Sequence, residues 1–413
     1  MPTHLSGRRS NLGLSLIEIL VALAIAALLL LGLSQIFIGS KQAYSVQTAV
    51  SRSQENARFI LGFLENNVRM AGYFGCGNES SIGNNFYNHL VASGAPIPFN
   101  QRFQRPIEGF RSTVCQAGSC TLGDPAPGAS ANWNPTIPTD AFPAAPAPAP
   151  IIGSDILILR VLSAQSAPTM GVFNPSAAPD AANPTFKVPT VPGDSAFITA
   201  GNVYAIANCS PRVDIFKASA GSTGNVVLAA STDNPLLNPT NPADPSTWAW
   251  TQAEGDYRQP PNGQLPGTVN GEVYKAQYMA IYVGINPDGA PALYVQQPGA
   301  IGSQEIADGV ESMQIQYGVD NVGNDGVADE FVGADGVVSP PTTDQSLIDG
   351  AWRKVVSVHV GLLMRATDRA GVPATASGNQ YSVGGVTVTA TPDGRFRDVY
   401  ETTIALRNRL SNF

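Results

Sequence analysis

From Leu14 to Ile38 the chain reads LSLIEILVALAIAALLLLGLSQIFI, a nearly unbroken apolar run whose one ionisable residue is Glu18. About 20 such residues suffice for a helix to cross a bilayer, so a membrane span is expected over 14–38. Arg8 and Arg9 precede the run. Flanking positive charge stays on the cytoplasmic side, which places everything after Ile38 outside. A secretory signal would have a shorter apolar core, followed by small residues and a cut. Here the good small-residue junction lies before the run, at Gly13-Leu14. The run is therefore expected to stay in the mature protein.

Beyond Ile38 the apolar positions take a helical period. Val46, Val50, Ala57, Ile60, Leu61, Leu64, Val68 and Ala71 form one stripe at roughly three- and four-residue spacing, while Arg52, Glu55, Arg58, Glu65 and Arg69 lie largely outside it. No proline occurs between Pro2 and Pro96, and Gly72 is placed to end the helix. One continuous helix is expected from Leu14 to Met70, about 85 Å long at 1.5 Å per residue. Its outer half should bury the stripe against a sheet. Its inner half has no partner within the chain and must face lipid or similar helices.

After Gly72 the pattern becomes β-like. Strands are expected at Asp155–Leu162, Val203–Ala207, Val213–Lys217, Ala276–Ile285, Ala292–Gln296, Met313–Val319, Val355–Met364, Val386–Ala390 and Val399–Leu406, with a short helical turn over Ile306–Glu311. No alternating strand–helix units with a phosphate-binding glycine loop appear, so most neighbouring strands should be antiparallel and the fold class α+β. Three segments rich in Pro, Gly and Asn separate the strands: Gly123–Pro150, Ala164–Pro192 and Thr232–Gly267. The first is expected to be extended and mobile. Trp248 and Trp250 in the last are candidates either for contact with a partner or for covering a local core patch.

Composition narrows the class. Of 413 residues only 13% are charged, and the formal charge is −8. Loss of residues 1–13, which carry two arginines and no acid, would make it −10. Nothing here favours nucleic acid, whose phosphates demand clustered Lys and Arg. The four cysteines, Cys76, Cys115, Cys120 and Cys209, form no C-x-x-C pair, which argues against zinc and suggests two disulfides in an exported chain. Three pairings are open; the preferred one closes a small loop between Cys115 and Cys120 and joins Cys76 at the helix end to Cys209 in the sheet.

Glu18 is the residue most in need of explanation, since a carboxylate in hydrocarbon costs at least ~2.5 kcal/mol. Cleavage after Gly13 would create an ammonium at Leu14, four residues away, as a counter-charge on the same or a neighbouring chain. Ser15 and Glu18 also have the spacing of a helix capping box, and a glutamate near the surface could simply reach water. All three readings stay open on spacing alone. One metal candidate exists: Asp320, Asn324, Asp325 and Asp329 gather oxygen donors around glycines, as calcium prefers, although the spacing is not that of an EF-hand. The plainer reading is a polar turn with Asx hydrogen bonds, and no cofactor is expected. The histidines, His4, His89 and His359, belong to no evident Ser/His/Asp or Cys/His set, and no G-x-S-x-G or Walker loop occurs, so no enzyme activity is expected.

Gly13-Leu14-Ser15-Leu16-Ile17-Glu18-Ile19-Leu20, with its basic leader and the apolar run behind it, closely resembles the processing site of type IV prepilins and pseudopilins. The resemblance implies a peptidase cut between Gly13 and Leu14, N-methylation of Leu14 (usually Phe in the family) and an assembly role for Glu18. Arg69 to Cys76, Ala207-Asn208-Cys209 with Val213 to Phe216, Ile306 to Asp320, Trp352 to Val356 and Thr402 to Arg409 resemble segments of PilW-like minor pilins. The implied organisation is a leader over 1–13, a membrane and filament-core helix over 14–38, its amphipathic continuation over 39–72, and a β-rich head over 73–413. The implied function is that of a minor pilin helping to start type IV pilus assembly and contributing to attachment and twitching motility. The implied partners are other minor pilins, the major pilin, a tip-associated adhesin, the prepilin peptidase and the inner membrane. The head would be periplasmic at first and extracellular in the pilus. The alternatives are a minor pseudopilin of type II secretion and a single-span anchored adhesin or binding domain.

Overall fold

The structure, a computed structural model, describes residues 15–75, 86–91, 95–142, 148–168, 185–187, 198–208, 212–220, 226–228, 234, 272–297, 302–323, 325–369 and 378–406. The first helix, α1, runs from Leu16 to Arg69, 54 residues in one piece and about 81 Å long. It stops at Met70, and Gly72 follows with φ 76°, a conformation that favours a residue without a Cβ. Ser53, Ala57, Ile60, Leu64 and Val68 form its buried face.

The strands are, in chain order, β1 Phe86–Asn88, β2 Ile107–Ser112, β3 Ser119–Thr121, β4 Trp133–Asn134, β5 Ile156–Pro168, β6 Thr185–Lys187, β7 Val203–Asn208, β8 Arg212–Lys217, β9 Val226–Leu228, β10 Glu272–Ile285, β11 Pro291–Gln296, β12 Gln304–Asp308, β13 Val310–Val319, β14 Glu330–Val332, β15 Val355–Arg369, β16 Gln380–Val383, β17 Val386–Thr389 and β18 Arg395–Ala405. Two short helices, α2 (Ala334–Val337) and α3 (Gln345–Arg353), lie between β14 and β15. The large sheet has the order β1-β8-β7-β10-β5-β2-β4; β11 adds to the later half of β10, and β12 adds to β11. A second sheet has the order β14-β13-β15-β18, and β16, β17 and β3 make a small third one. Pairing is antiparallel except for β1 with β8 and β3 with β17 among the described residues.

All nine expected strands are present, several of them longer than expected. Residues 306–311 are not a helical turn. Ile306 and Ala307 belong to β12, which takes up backbone hydrogen bonds along β11, and Gly309, at φ 82°, reverses the chain into β13. Gly123–Pro150 is also unlike the expectation over its described residues. Trp133, Ile137 and Ala141 are buried with Phe99 and Phe110 against Tyr278, Ala280, Tyr282 and Tyr294, covering the outer face of the large sheet. The tryptophan indole NH donates to the Ser154 carbonyl at 2.9 Å. A segment that looks like a linker by composition is therefore a lid on the sheet.

With that face covered, the alternation in β10 sorts Tyr278, Ala280 and Tyr282 outward and Met279, Ile281 and Val283 inward. The inward residues share one core with Ala57, Ile60, Leu64, Val68 and Ala71 of the helix and with Met313, Ile315, Val358, Val360 and Leu362 of the second sheet. Asn56 locks the register of helix and head, donating to the Asp308 carboxylate at 2.6 Å. The small sheet lies on the far side of β15, where a Cβ on Gly361 would stand 2.3 Å from the Gly384 nitrogen. No side chain fits at 361.

Leu64→Ala should lower stability by about 2–5 kcal/mol, because it empties a site enclosed by helix and both sheets. Phe59→Ala, on the exposed side of the same helix, should change it by less than about 0.5 kcal/mol. Denaturant titration of the full chain in detergent checks both; equal effects would mean that the stripe does not hold the helix to the head.

Candidate assembly site

The segment that carries the sequence's strongest signal is the bare half of α1. From Leu16 to Ile38 every residue is exposed, Leu16 to 77% and Phe37 to 71%, and the most apolar stretch buries nothing against the head. Among the described residues this is the one helix long and apolar enough to cross a membrane. Its 23 residues span about 34 Å, close to the ~30 Å of a bilayer's hydrocarbon core. A surface this apolar is unstable in water and needs either lipid or other helices around it.

At its start Ser15 is the N-cap. Its hydroxyl accepts from the Glu18 backbone NH at 3.3 Å, and the Glu18 carboxylate accepts from the Ser15 NH at 3.4 Å. The capping box is thus formed, but both contacts lie at the long end of the hydrogen-bonding range. Capping and a charge partner are compatible, because an ammonium at Leu14 would be next to the Ser15 NH that Glu18 already faces. Gly13 and Leu14 lie outside the described residues.

The remaining sequence candidates are dispersed over the head. Cys115 and Cys120 are disulfide-bonded with Cα atoms 4.6 Å apart, while Cys76, Cys209, Trp248 and Trp250 lie outside the described residues. In the acidic loop Asp320 accepts from the Gly326 NH at 2.8 Å, Asp325 from the Val327 NH at 3.0 Å, and Asp329 from the Asn321 and Val322 NH groups at 2.8 and 2.7 Å. The Asp325 contact has the spacing of an Asx turn, whereas Asp320 and Asp329 accept from NH groups six to eight residues away across the loop. Asn324 lies outside the described residues, and no group of three metal-capable side chains occurs among those described.

Other polar side chains serve the framework, and sequence patterning gives no hint of them. Glu108 on β2 takes Arg105 and Arg160 at 2.6 Å each, and Arg105 also reaches Asp349 of α3 at 2.5 Å. Burial works against the Glu108 charge, but the two guanidinium groups hold its carboxyl below the usual range. On the second sheet Glu311 forms a two-pronged pair with Arg397 at 2.5 and 2.9 Å. His89 and Asp214 meet at 2.6 Å, both fully buried, so this acid–base pair is out of reach of a substrate. Asp155 joins the sheets: its carboxylate accepts from Ser112 at the end of β2 at 2.8 Å and from Ile315 of β13 at 2.9 Å. Burial lifts its pKa to about 7, opposed by those two NH groups and Arg111. The charged groups of the head thus bind its elements to one another, which suits a rigid body that presents surfaces.

Comparison with known proteins adds the following. Residues 280–408 match the family model of the type IV pilus-assembly protein W, and residues 8–34 match the prokaryotic N-terminal methylation motif. No curated protein matches the chain. Among solved structures, a type IV-like pilin from Thermus thermophilus is similar at 16% identity over 37% of this chain and 77% of that one, with a TM-score of 0.20.

The joint at Asp155 titrates in an accessible range. Its folded pKa is raised, so its contribution to stability is full below the unfolded value near 4 and is lost as pH rises through about 7. The loss is at most about 4 kcal/mol. Melting curves of wild type and Asp155→Asn from pH 4 to 8 should converge as pH rises. A constant gap would mean that this carboxyl is not protonated in the fold.

Proposed function

We propose that this chain, which is a PilW-like type IV pilin, works as a minor subunit that helps to start assembly of a type IV pilus. It would be held in the inner membrane by residues 14–38 until it enters the filament. The observation that carries this reading is the division of one unbroken helix. Its outer half is joined to the head through Ala57, Ile60, Leu64 and Val68, and its inner half is bare from Leu16 to Ile38. Such a helix can leave lipid only if equivalent apolar helices replace the lipid around it, and a bundle of pilin helices does so.

In this reading the peptidase cuts between Gly13 and Leu14 and the new amine is methylated. The Leu14 ammonium and Glu18 then form the one charged contact in an otherwise apolar core, which sets the register between neighbouring helices. Glu18 suits the task because it is the only ionisable residue between Arg9 and Lys41. The head supplies lateral contacts with other minor pilins, the major pilin and a tip-associated adhesin. It faces the periplasm first and the medium later, and attachment and twitching motility follow from the pili that it helps to start. Its work is structural rather than enzymatic.

Two measurements test the proposal. Mass spectrometry of the N-terminus from pilus preparations should find Leu14 first and one methyl group heavier; an intact Met1, or a start beyond Ile38, would overturn the processing. Glu18→Ala should reduce surface pili at least tenfold while the protein still inserts in the membrane. Normal piliation would remove the register role, and normal piliation with lost surface binding in a deletion strain would favour an anchored adhesin.

A further inference from the structure

A groove of about 540 Å³ lies where α1 enters the head. Helix residues between Lys41 and Asn56 form its floor, and the Asp308-Gly309 corner and the end of β15, Met364 to Arg369, form its wall. It begins at the membrane. Lys41 is three residues past the apolar run, about 4.5 Å along the axis, within the headgroup layer of roughly 5–7 Å. Tyr44, 71% exposed, stands one turn further on and is of the aromatic type that settles at membrane–water interfaces.

The wall descends towards the same level. Arg365 donates its backbone NH to Gly309, beside the Asn56–Asp308 contact. The four strand residues beyond it, about 13 Å long, then bring Arg369 alongside the lower part of the floor. The charges of the groove are unequal in availability. Asp308 is engaged by Asn56, and Arg365 lies near Glu311 and Asp393 at 3.5 and 3.8 Å. Lys41, Arg52 and Arg369 are exposed and form no ion pair among the described residues. The Ser45 and Thr48 hydroxyls donate to the helix backbone. The donors left to a ligand are the three cations and the Tyr44 phenol. The lining also carries the exposed acids Glu55 and Asp368, so Lys41, Arg52, Arg365 and Arg369 against Glu55, Asp308 and Asp368 leave it at +1 in a chain of net charge −8, and orientation does not call for these cations because Arg8 and Arg9 already provide it.

We propose that this groove binds the anionic headgroup of an outer-leaflet phospholipid, with Lys41 and Arg369 on the phosphate and Arg52 adding to the positive field above it. The contact would hold the head against the membrane before assembly and would be given up when α1 leaves the bilayer. It rests on the membrane anchoring described above but not on the filament.

Full-length protein in mixed micelles with equal phosphatidylglycerol and phosphatidylcholine, analysed by native mass spectrometry, tests it. The wild type should retain phosphatidylglycerol at least tenfold over phosphatidylcholine. Lys41→Gln with Arg369→Gln should abolish that preference, at about fivefold per cation removed, with an unchanged circular dichroism spectrum. Glu55→Gln, in the same groove, should keep it. Equal retention of the two lipids, or an unaltered preference in the double variant, would overturn the proposal. So would a preference lost only on Arg8→Gln with Arg9→Gln, or cross-links from Lys41 reaching a second pilin and no lipid. Protein that fails to enter bilayers at all would overturn the anchoring as well, whereas lost lipid selectivity with normal insertion and piliation would overturn this inference alone.

Discussion

The stripe of Ala57, Ile60, Leu64, Val68 and Ala71 is sealed between two sheets, and the rest of the molecule is organised around that burial. A helix of this length gains little from its own backbone and depends on tertiary packing. Here the packing reaches only the outer part, since the buried positions begin at Ser53. The preceding residues remain helical because each backbone group is satisfied within the helix, the condition that a bilayer imposes on any chain crossing it. One continuous rod therefore runs from a bare apolar half into a protein core. No proline or left-handed glycine interrupts it between Leu16 and Arg69.

The head is packed directly onto that rod. The inner face of its large sheet shares the core with the helix, and its outer face is closed by Phe99, Trp133, Ile137 and Ala141. Asp155, Glu108 and Glu311 each join elements that are distant in sequence. The buried ion pairs of Glu108 and Glu311 add little net stability, but removing one partner is costly, so they favour a single arrangement. The cations at the helix–head junction that form no ion pair among the described residues, Lys41, Arg52 and Arg369, line a groove that starts three residues past the apolar run.

The long helix, its end near Gly72, the nine principal strands and the bond between Cys115 and Cys120 were legible from residue order. Each depends on neighbours a few positions apart: a period of 3.6 or 2, a glycine that tolerates positive φ, or a five-residue loop. The weaker inferences involved distant partners. Residues 306–311 look helical in isolation, yet 306–308 end β12 because the free edge of β11 is there to receive them, and 310–311 begin β13. Gly123–Pro150 reads as a linker, yet its Trp133 has the outer face of a sheet to cover. The acids at 320, 325 and 329 lie close in sequence, but that they accept from NH groups of their own loop follows only from how the loop folds back.

The amino-acid order alone determined the long apolar helix and the position of Glu18 within it, because apolar length and period act on the chain as a linear string. Only the tertiary structure decided which residues close the core, that Asp155 links two sheets, and that Lys41 and Arg369, 328 positions apart, line one groove. Contacts of that kind depend on how sheets stack, and no local period encodes them.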